Sequence, residues 1–162
     1  MKAIVYTSNT GFTARYAKML GEKTGLPVVE LERMKELEKG TSVVYMGWLF
    51  ASMVKGYPKA AKYLDVQAVV GVGMCETGTL TLEDVRKTNL GDLPLFTVQG
   101  GMDHSKLKGI NRFMINTLIK VMSRQKNPSE DDKKKLALIR EGGDYVREEN
   151  LAQVLAWMEA QQ

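Results

Sequence analysis

Lys2-Ala-Ile-Val-Tyr6 runs straight into Thr7-Ser8-Asn9-Thr10-Gly11-Phe12-Thr13, and this junction decides the fold class. The first five residues are a short run of β-formers, stopped by hydroxyl side chains and a glycine. A run of that length and composition predicts a strand buried on both faces, as in a parallel sheet. From Phe12 to Thr24 the pattern turns helical, with Tyr16, Met19 and Leu20 at three- and four-residue steps, and Gly25 ends it. Strand then helix, joined by a tight polar loop, is the opening of a βαβ unit.

The same alternation continues. Residues 26–30 read as a second strand, and Leu31, Met34 and Leu37 as a charged helix closing at Gly40. Residues 42–46 read as a third strand, and Pro58 opens a helix to about Leu64. A fourth strand is expected at 68–72, then a short helix capped by Thr81 and Asp84, then a fifth strand at 94–98. Three helices follow: 106–126, one starting at the Ser129 cap, and 148–161. Strands and helices in this order predict an α/β fold, a three-layer, doubly wound, five-stranded parallel sheet in a single domain over residues 1–162.

Composition narrows the chemistry. The 162 residues are 44% hydrophobic and 26% charged, which is ordinary for one soluble domain. One Cys excludes an internal disulfide, and His104, the only histidine, leaves no His-based metal cluster to expect. There is no 18-residue apolar run, and the chain opens on a strand. A cytoplasmic protein without bound metal or nucleic acid is expected.

In a doubly wound sheet, ligands bind outside the carboxyl ends of the strands. The loop Ser8-Asn9-Thr10-Gly11-Phe12-Thr13 combines three hydroxyls, a glycine and a helix start, which together suit a phosphate. It has no Lys or Arg, no Gly-Lys-Ser/Thr ending and no dinucleotide spacing, so a single terminal phosphate is the expected anion. The simpler alternative is that Ser8 or Thr10 merely caps the helix.

This loop resembles the Thr/Ser-x-Thr-Gly-x-Thr phosphate loop of the flavodoxins, which bind FMN, and the order of elements resembles theirs along the whole chain. The resemblance implies a flavodoxin-like sheet order 2-1-3-4-5 and FMN as cofactor, its ring flanked by the loops after strands three and four. Those loops supply Trp48, Leu49, Phe50, Ala51 and Ser52 on one side, and Met74, Cys75, Glu76 and Thr77 on the other. Trp48 or Phe50 would stack on the flavin, while Ala51 and Ser52 would bring backbone to its edge. Cys75 has no adjoining base in the sequence and reads as a wall residue rather than a nucleophile.

The stretch 105–126 carries Lys106, Lys108, Arg112, Lys120, Arg124 and Lys126 and no acid; without these six, acidic side chains outnumber basic ones. Ile110, Phe113, Met114, Leu118, Val121 and Met122 form an apolar stripe, expected to pack on the sheet with the basic face solvated. Such a helix also suits an anionic membrane surface or an acidic partner. Asn111-Arg112-Phe113-Met114-Ile115 resembles a helix of the menaquinone-dependent protoporphyrinogen oxidases, flavodoxin-type proteins that pass electrons to a quinone, and residues 101–107 resemble the loop after strand five in that wider group. The resemblances imply an FMN electron carrier working with a redox protein partner. The alternative they imply is a quinone-linked protoporphyrinogen oxidase-type enzyme at the inner face of the membrane, with helix 105–126 meeting quinone or lipid.

Overall fold

Strand β1 (Ala3–Thr7) lies in the interior of the sheet, its residues Ala3, Ile4 and Val5 fully buried. The structure, a computed structural model, describes residues 1–161, with Arg86 described by its backbone alone. Five strands pair in parallel: β2 (Val28–Glu30), β1, β3 (Ser42–Phe50), β5 (Asp65–Gly73) and β6 (Leu95–Gln99), in that spatial order. The short β4 (Met53–Val54) folds back antiparallel on the end of β3. The fold is α/β, with a mostly parallel central sheet flanked by helices.

Strand pleating sorts alternate residues to opposite faces. Ala3, Val5, Val43, Tyr45 and Val69 face one side, under a 3₁₀ turn (Leu31–Glu36) and helix α2 (Tyr57–Ala61). Ile4, Val44, Met46, Val70 and Val72 face the other, under α1 (Phe12–Thr24) and α5 (Ala152–Ala160). Burying a Val, Leu or Ile side chain contributes about 1.5–3 kcal/mol, so these two interleaved sets fix the register of every strand.

Tyr16, fully buried on α1, ties the second face to the end of the sheet. Its hydroxyl donates to the Gln99 carbonyl at 2.5 Å and accepts from Asn150 Nδ2 at 2.6 Å and the Arg147 N–H at 3.3 Å. One oxygen thus links α1, β6 and the segment entering α5.

Several elements depart from the sequence pattern. The segment after β2 is a 3₁₀ turn rather than an α-helix. Between β5 and β6, Asp84 Oδ2 takes the Thr81 N–H at 2.8 Å, yet only turns and a 3₁₀ segment (Arg86–Thr88) follow. The third strand runs on to Phe50, so Trp48, Leu49 and Phe50 are strand residues, not loop. A two-stranded ribbon of β7 (Gly101–Met102) and β8 (Gly143–Asp144), which no hydrophobic alternation announces, clasps the carboxyl edge.

The largest correction concerns the basic segment. Helix α3 (Gly109–Ser123) buries only Ile115, and it pairs with α4 (Glu130–Glu141) as a hairpin at the carboxyl end of the sheet. It does not lie on the sheet because α5 already covers that position: the Trp157 ring packs on Phe96 of β6 at 5.9 Å between centroids. Helix α4 starts with the expected Ser129 cap, closed by Asp132 into a capping box. No helix among the described residues is long and apolar enough to cross a membrane.

Removing the Tyr16 hydroxyl leaves the Gln99 carbonyl and its neighbours short of a partner in a buried setting. Tyr16→Phe is therefore expected to cost about 2 kcal/mol, read as a lower urea midpoint with unchanged slope.

Candidate functional site

Helix α1 begins at the carboxyl end of β1 with Gly11 as its N-cap, at φ 96°. That left-handed conformation costs little only for glycine. A glycine cap offers no side-chain acceptor, and no side chain caps the helix. Ser8 Oγ instead accepts the Gly11 N–H at 3.1 Å, which steadies the turn one residue before the helix. The first N–H groups of α1 thus remain available, backed by the helix dipole. The alternative that Ser8 or Thr10 is the cap is not what the geometry contains.

These N–H groups open into a cleft. Ser8, Asn9, Thr10, Phe12 and Thr13 form one end, and Trp48, Leu49, Phe50 and Met74 form the walls. Val72, Gly73, Gly101, Met102, Leu107 and Ile115 complete it. A second, more open cleft of about 310 Å³ adjoins it and shares Leu49, Phe50, Gly73, Met74, Met102 and Ile115, so the two form one trench. Ala51, Ser52 and Cys75 line the second part, opposite Leu118, Lys135 and Ile139 of the α3–α4 hairpin.

The aromatic wall is decided by pleating. Trp48 and Phe50 are two residues apart on one strand and so share a face, with ring centroids 5.9 Å apart. Lys55, opposite Trp48 across the hairpin, holds its ammonium 5.8 Å from the Trp48 ring and 5.5 Å from the Phe50 ring. Both aromatics line the cleft.

The hairpin turn carries backbone strain. Ala51 and Ser52 sit at φ 50° and 62°, the conformation of a two-residue type I′ turn that favours Gly and Asn. For residues with a Cβ this costs about 1–2 kcal/mol each. Thr88 Oγ1 accepts the Val54 N–H at 2.7 Å, and the Lys87 N–H reaches the Ser52 carbonyl at 3.2 Å, so neighbouring chain holds the turn in place.

Not all expected residues reach the trench. Gly11 shapes its loop without lining either cleft, and Glu76 and Thr77 belong to a turn beside β6. The Glu76 carbonyl accepts from Thr79 Oγ1 at 2.7 Å, and Thr77 Oγ1 accepts the Gln99 N–H at 3.0 Å. Their polar groups anchor the loop that carries Met74 and Cys75.

The residues the sequence did not single out for the site are its roof. Asn111 Nδ2 on α3 donates to Asn9 Oδ1 at 2.8 Å, joining the roof to the first loop. His104 Nε2 lies 2.7 Å from the Ile139 carbonyl and joins the chain before α3 to the end of α4. The signal for this roof is the segment 101–107, where a Cβ on Gly101 would strike the Phe12 ring at 2.6 Å and the Gly143 carbonyl. Burial pushes the Cys75 thiol above its ordinary range; Lys135 pulls it back in part and Asp84 pushes it further up. Among the described residues, no three His, Cys, Asp or Glu side chains gather to hold a metal.

Comparison with protein-family models, curated proteins and solved structures finds no match to this chain.

Because the raised pKa leaves less thiolate near neutrality, Cys75 should react with iodoacetamide more slowly than free cysteine from about pH 7 to 9, its rate rising toward a midpoint above the free thiol's. A thiolate-like rate at pH 7 would contradict this. Ser52→Gly should relieve the turn and raise stability by about 1 kcal/mol, or roughly 2–4 °C in Tm, by calorimetry.

Proposed function

We propose that this protein is a flavodoxin-like FMN-binding redox protein that exchanges electrons with a protein partner. The observation that carries the reading is the uncapped start of α1, which opens beside Ser8, Thr10 and Thr13 at one end of a trench. A phosphate monoester there takes N–H and hydroxyl donors and the helix dipole, with no counter-cation in the loop. The parallel sheet with β1 flanked by β2 and β3 supports the same reading, because such a sheet opens its crevice at that strand.

The trench suits a long ligand with a charged end and a flat apolar end. Trp48, Phe50 and Met74 offer apolar contact for a ring system, and the Ala51–Ser52 turn and the Gly73–Met74 backbone offer polar groups at its edges. When bound, FMN supplies one- and two-electron transfer. The chain's own contribution is to hold the phosphate, stack the ring and keep water out with Ile115, Leu118 and Ile139 of the roof.

A second reading is a quinone-linked protoporphyrinogen oxidase-type enzyme. It is favoured by the apolar lining that α3 gives both to the trench and to its own outer groove, which meet at Phe50 and Leu118. Reduction of a soluble quinone analogue by the protein and a porphyrinogen would select it over the carrier; electron exchange with ferredoxin-type partners alone would select the carrier.

Titration of the apoprotein with FMN and riboflavin tests the main reading. FMN should bind far more tightly, and Thr10→Ala and Thr13→Ala should each weaken FMN by about ten- to hundredfold with little effect on riboflavin, as expected of hydrogen bonds to a charged group. Equal affinity for the two flavins, or unchanged FMN affinity in both variants, would refute it.

A further inference from the structure

Helix α3 is apolar on two sides. Ile115 and Leu118 turn toward the trench, while Ile110, Phe113 and Val121 turn to solvent, 73%, 70% and 63% exposed. The three outward residues fall within one quarter of the helix circumference and span roughly 16 Å along it. Phe113, Met114, Thr117 and Val121 also border an apolar groove of about 300 Å³ shared with Phe50 and Leu118. A contiguous apolar face of this kind marks an interaction site.

Its charge surroundings narrow the occupant. Lys108, Arg112, Lys120, Arg124 and Lys126 are all exposed, and residues 104–129 contain no Asp or Glu. Among the described residues, Lys106 in this stretch has an acidic partner, Asp103 at 3.4 Å. The acidic turn of Glu130, Asp131 and Asp132 lies beyond it, at the start of α4, where it serves the helix N-terminus. A second copy of the chain would bring two cationic rims together. An acidic protein would answer the charge but gives no reason for three large apolar side chains in a line on a convex helix. An anionic bilayer answers both, since such helices bury an apolar face at the headgroup boundary while cations meet lipid phosphate.

We propose that the outer face of α3 docks on anionic phospholipid membrane, with Ile110, Phe113 and Val121 inserted at the acyl boundary and Lys108, Arg112, Lys120 and Arg124 among the headgroup phosphates. Phe50 and Leu118 line both the docking groove and the trench, so docking brings the trench beside lipid. The proposal does not rest on the cofactor reading.

Vesicle flotation of the full chain, with and without FMN, tests it. Vesicles of phosphatidylcholine with one quarter phosphatidylglycerol should carry the protein, and pure phosphatidylcholine should bind it at least about tenfold more weakly. The double variant Phe113→Ser with Val121→Ser, checked for native circular dichroism, should lose about tenfold or more at fixed salt. Arg112→Gln with Lys120→Gln should lose a similar amount, and Lys59→Gln on α2 with Lys62→Gln at its C-cap should lose nothing. Absence of binding to anionic vesicles overturns the proposal. So does binding that the Phe113 and Val121 changes leave untouched, which would be charge attraction alone. A concentration-dependent dimer abolished by those changes, without vesicle binding, would assign the face to a second copy instead. Failure of the FMN titration leaves every one of these results readable.

Discussion

Everything in this fold follows from strand β1 being closed on four sides. Its two edges are taken by β2 and β3, and its two faces by the apolar sets around Tyr45 and Tyr16. A strand so enclosed can release the chain only at the carboxyl edge of the sheet. The polar residues Ser8 to Thr13 therefore fall at that edge, and the helix that follows must start there with its N–H groups facing outward. Gly11 as the cap then leaves those groups without a side-chain acceptor. Sheet topology and the outward placement of these N–H groups are in this sense one property.

The two ends of the trench are built by different means. At the first-loop end the donors come from backbone and hydroxyls, held by local hydrogen bonds such as Ser8 to Gly11. At the far end, the walls come from a strand extension and its hairpin turn, held under strain by Thr88 and Lys87. A turn kept in an unfavourable conformation by distant residues has few ways to relax, so the backbone groups around Ala51 and Ser52 are fixed in direction. At the Cys75 wall, burial pushes the thiol above its ordinary range, Lys135 pulls it back in part and Asp84 adds to the rise.

The α3–α4 hairpin decides how the trench meets its surroundings. With α5 packed on the sheet through Trp157, α3 lies over the open edge with one apolar face inward and another outward. The side-chain pair Asn111 to Asn9 joins it to the first loop, and His104 joins the chain before it to α4's far end. Roof and outer surface are thus the same helix, and whatever covers one side of it acts on the other.

How far the sequence reaches is clear from particular residues. Periods of two and of 3.6 are local properties, so β1, α1, the end of α1 at Gly25 and the Ser129 cap were all legible, as was the polar loop at 8–13. The short 3₁₀ segments were not, because apolar spacing over six residues does not separate them from an α-helix. Nor was the strand extension through Phe50: Trp48 and Phe50 alternate with Leu49, but the turn that would mark the end has no glycine. The stripe on residues 110–122 was legible as a stripe, whereas its partner was not. Amphipathicity states that a face must be covered or used, and only the competition between α3 and α5 for one surface of the sheet determines which. The sequence by itself thus determined the alternating strands and helices and the anion-suited loop, through local periodicity and chain chemistry. Tertiary structure alone decided the roof, the shared face of Trp48 and Phe50, and the outward apolar side of α3, because each depends on contacts between segments far apart in the chain.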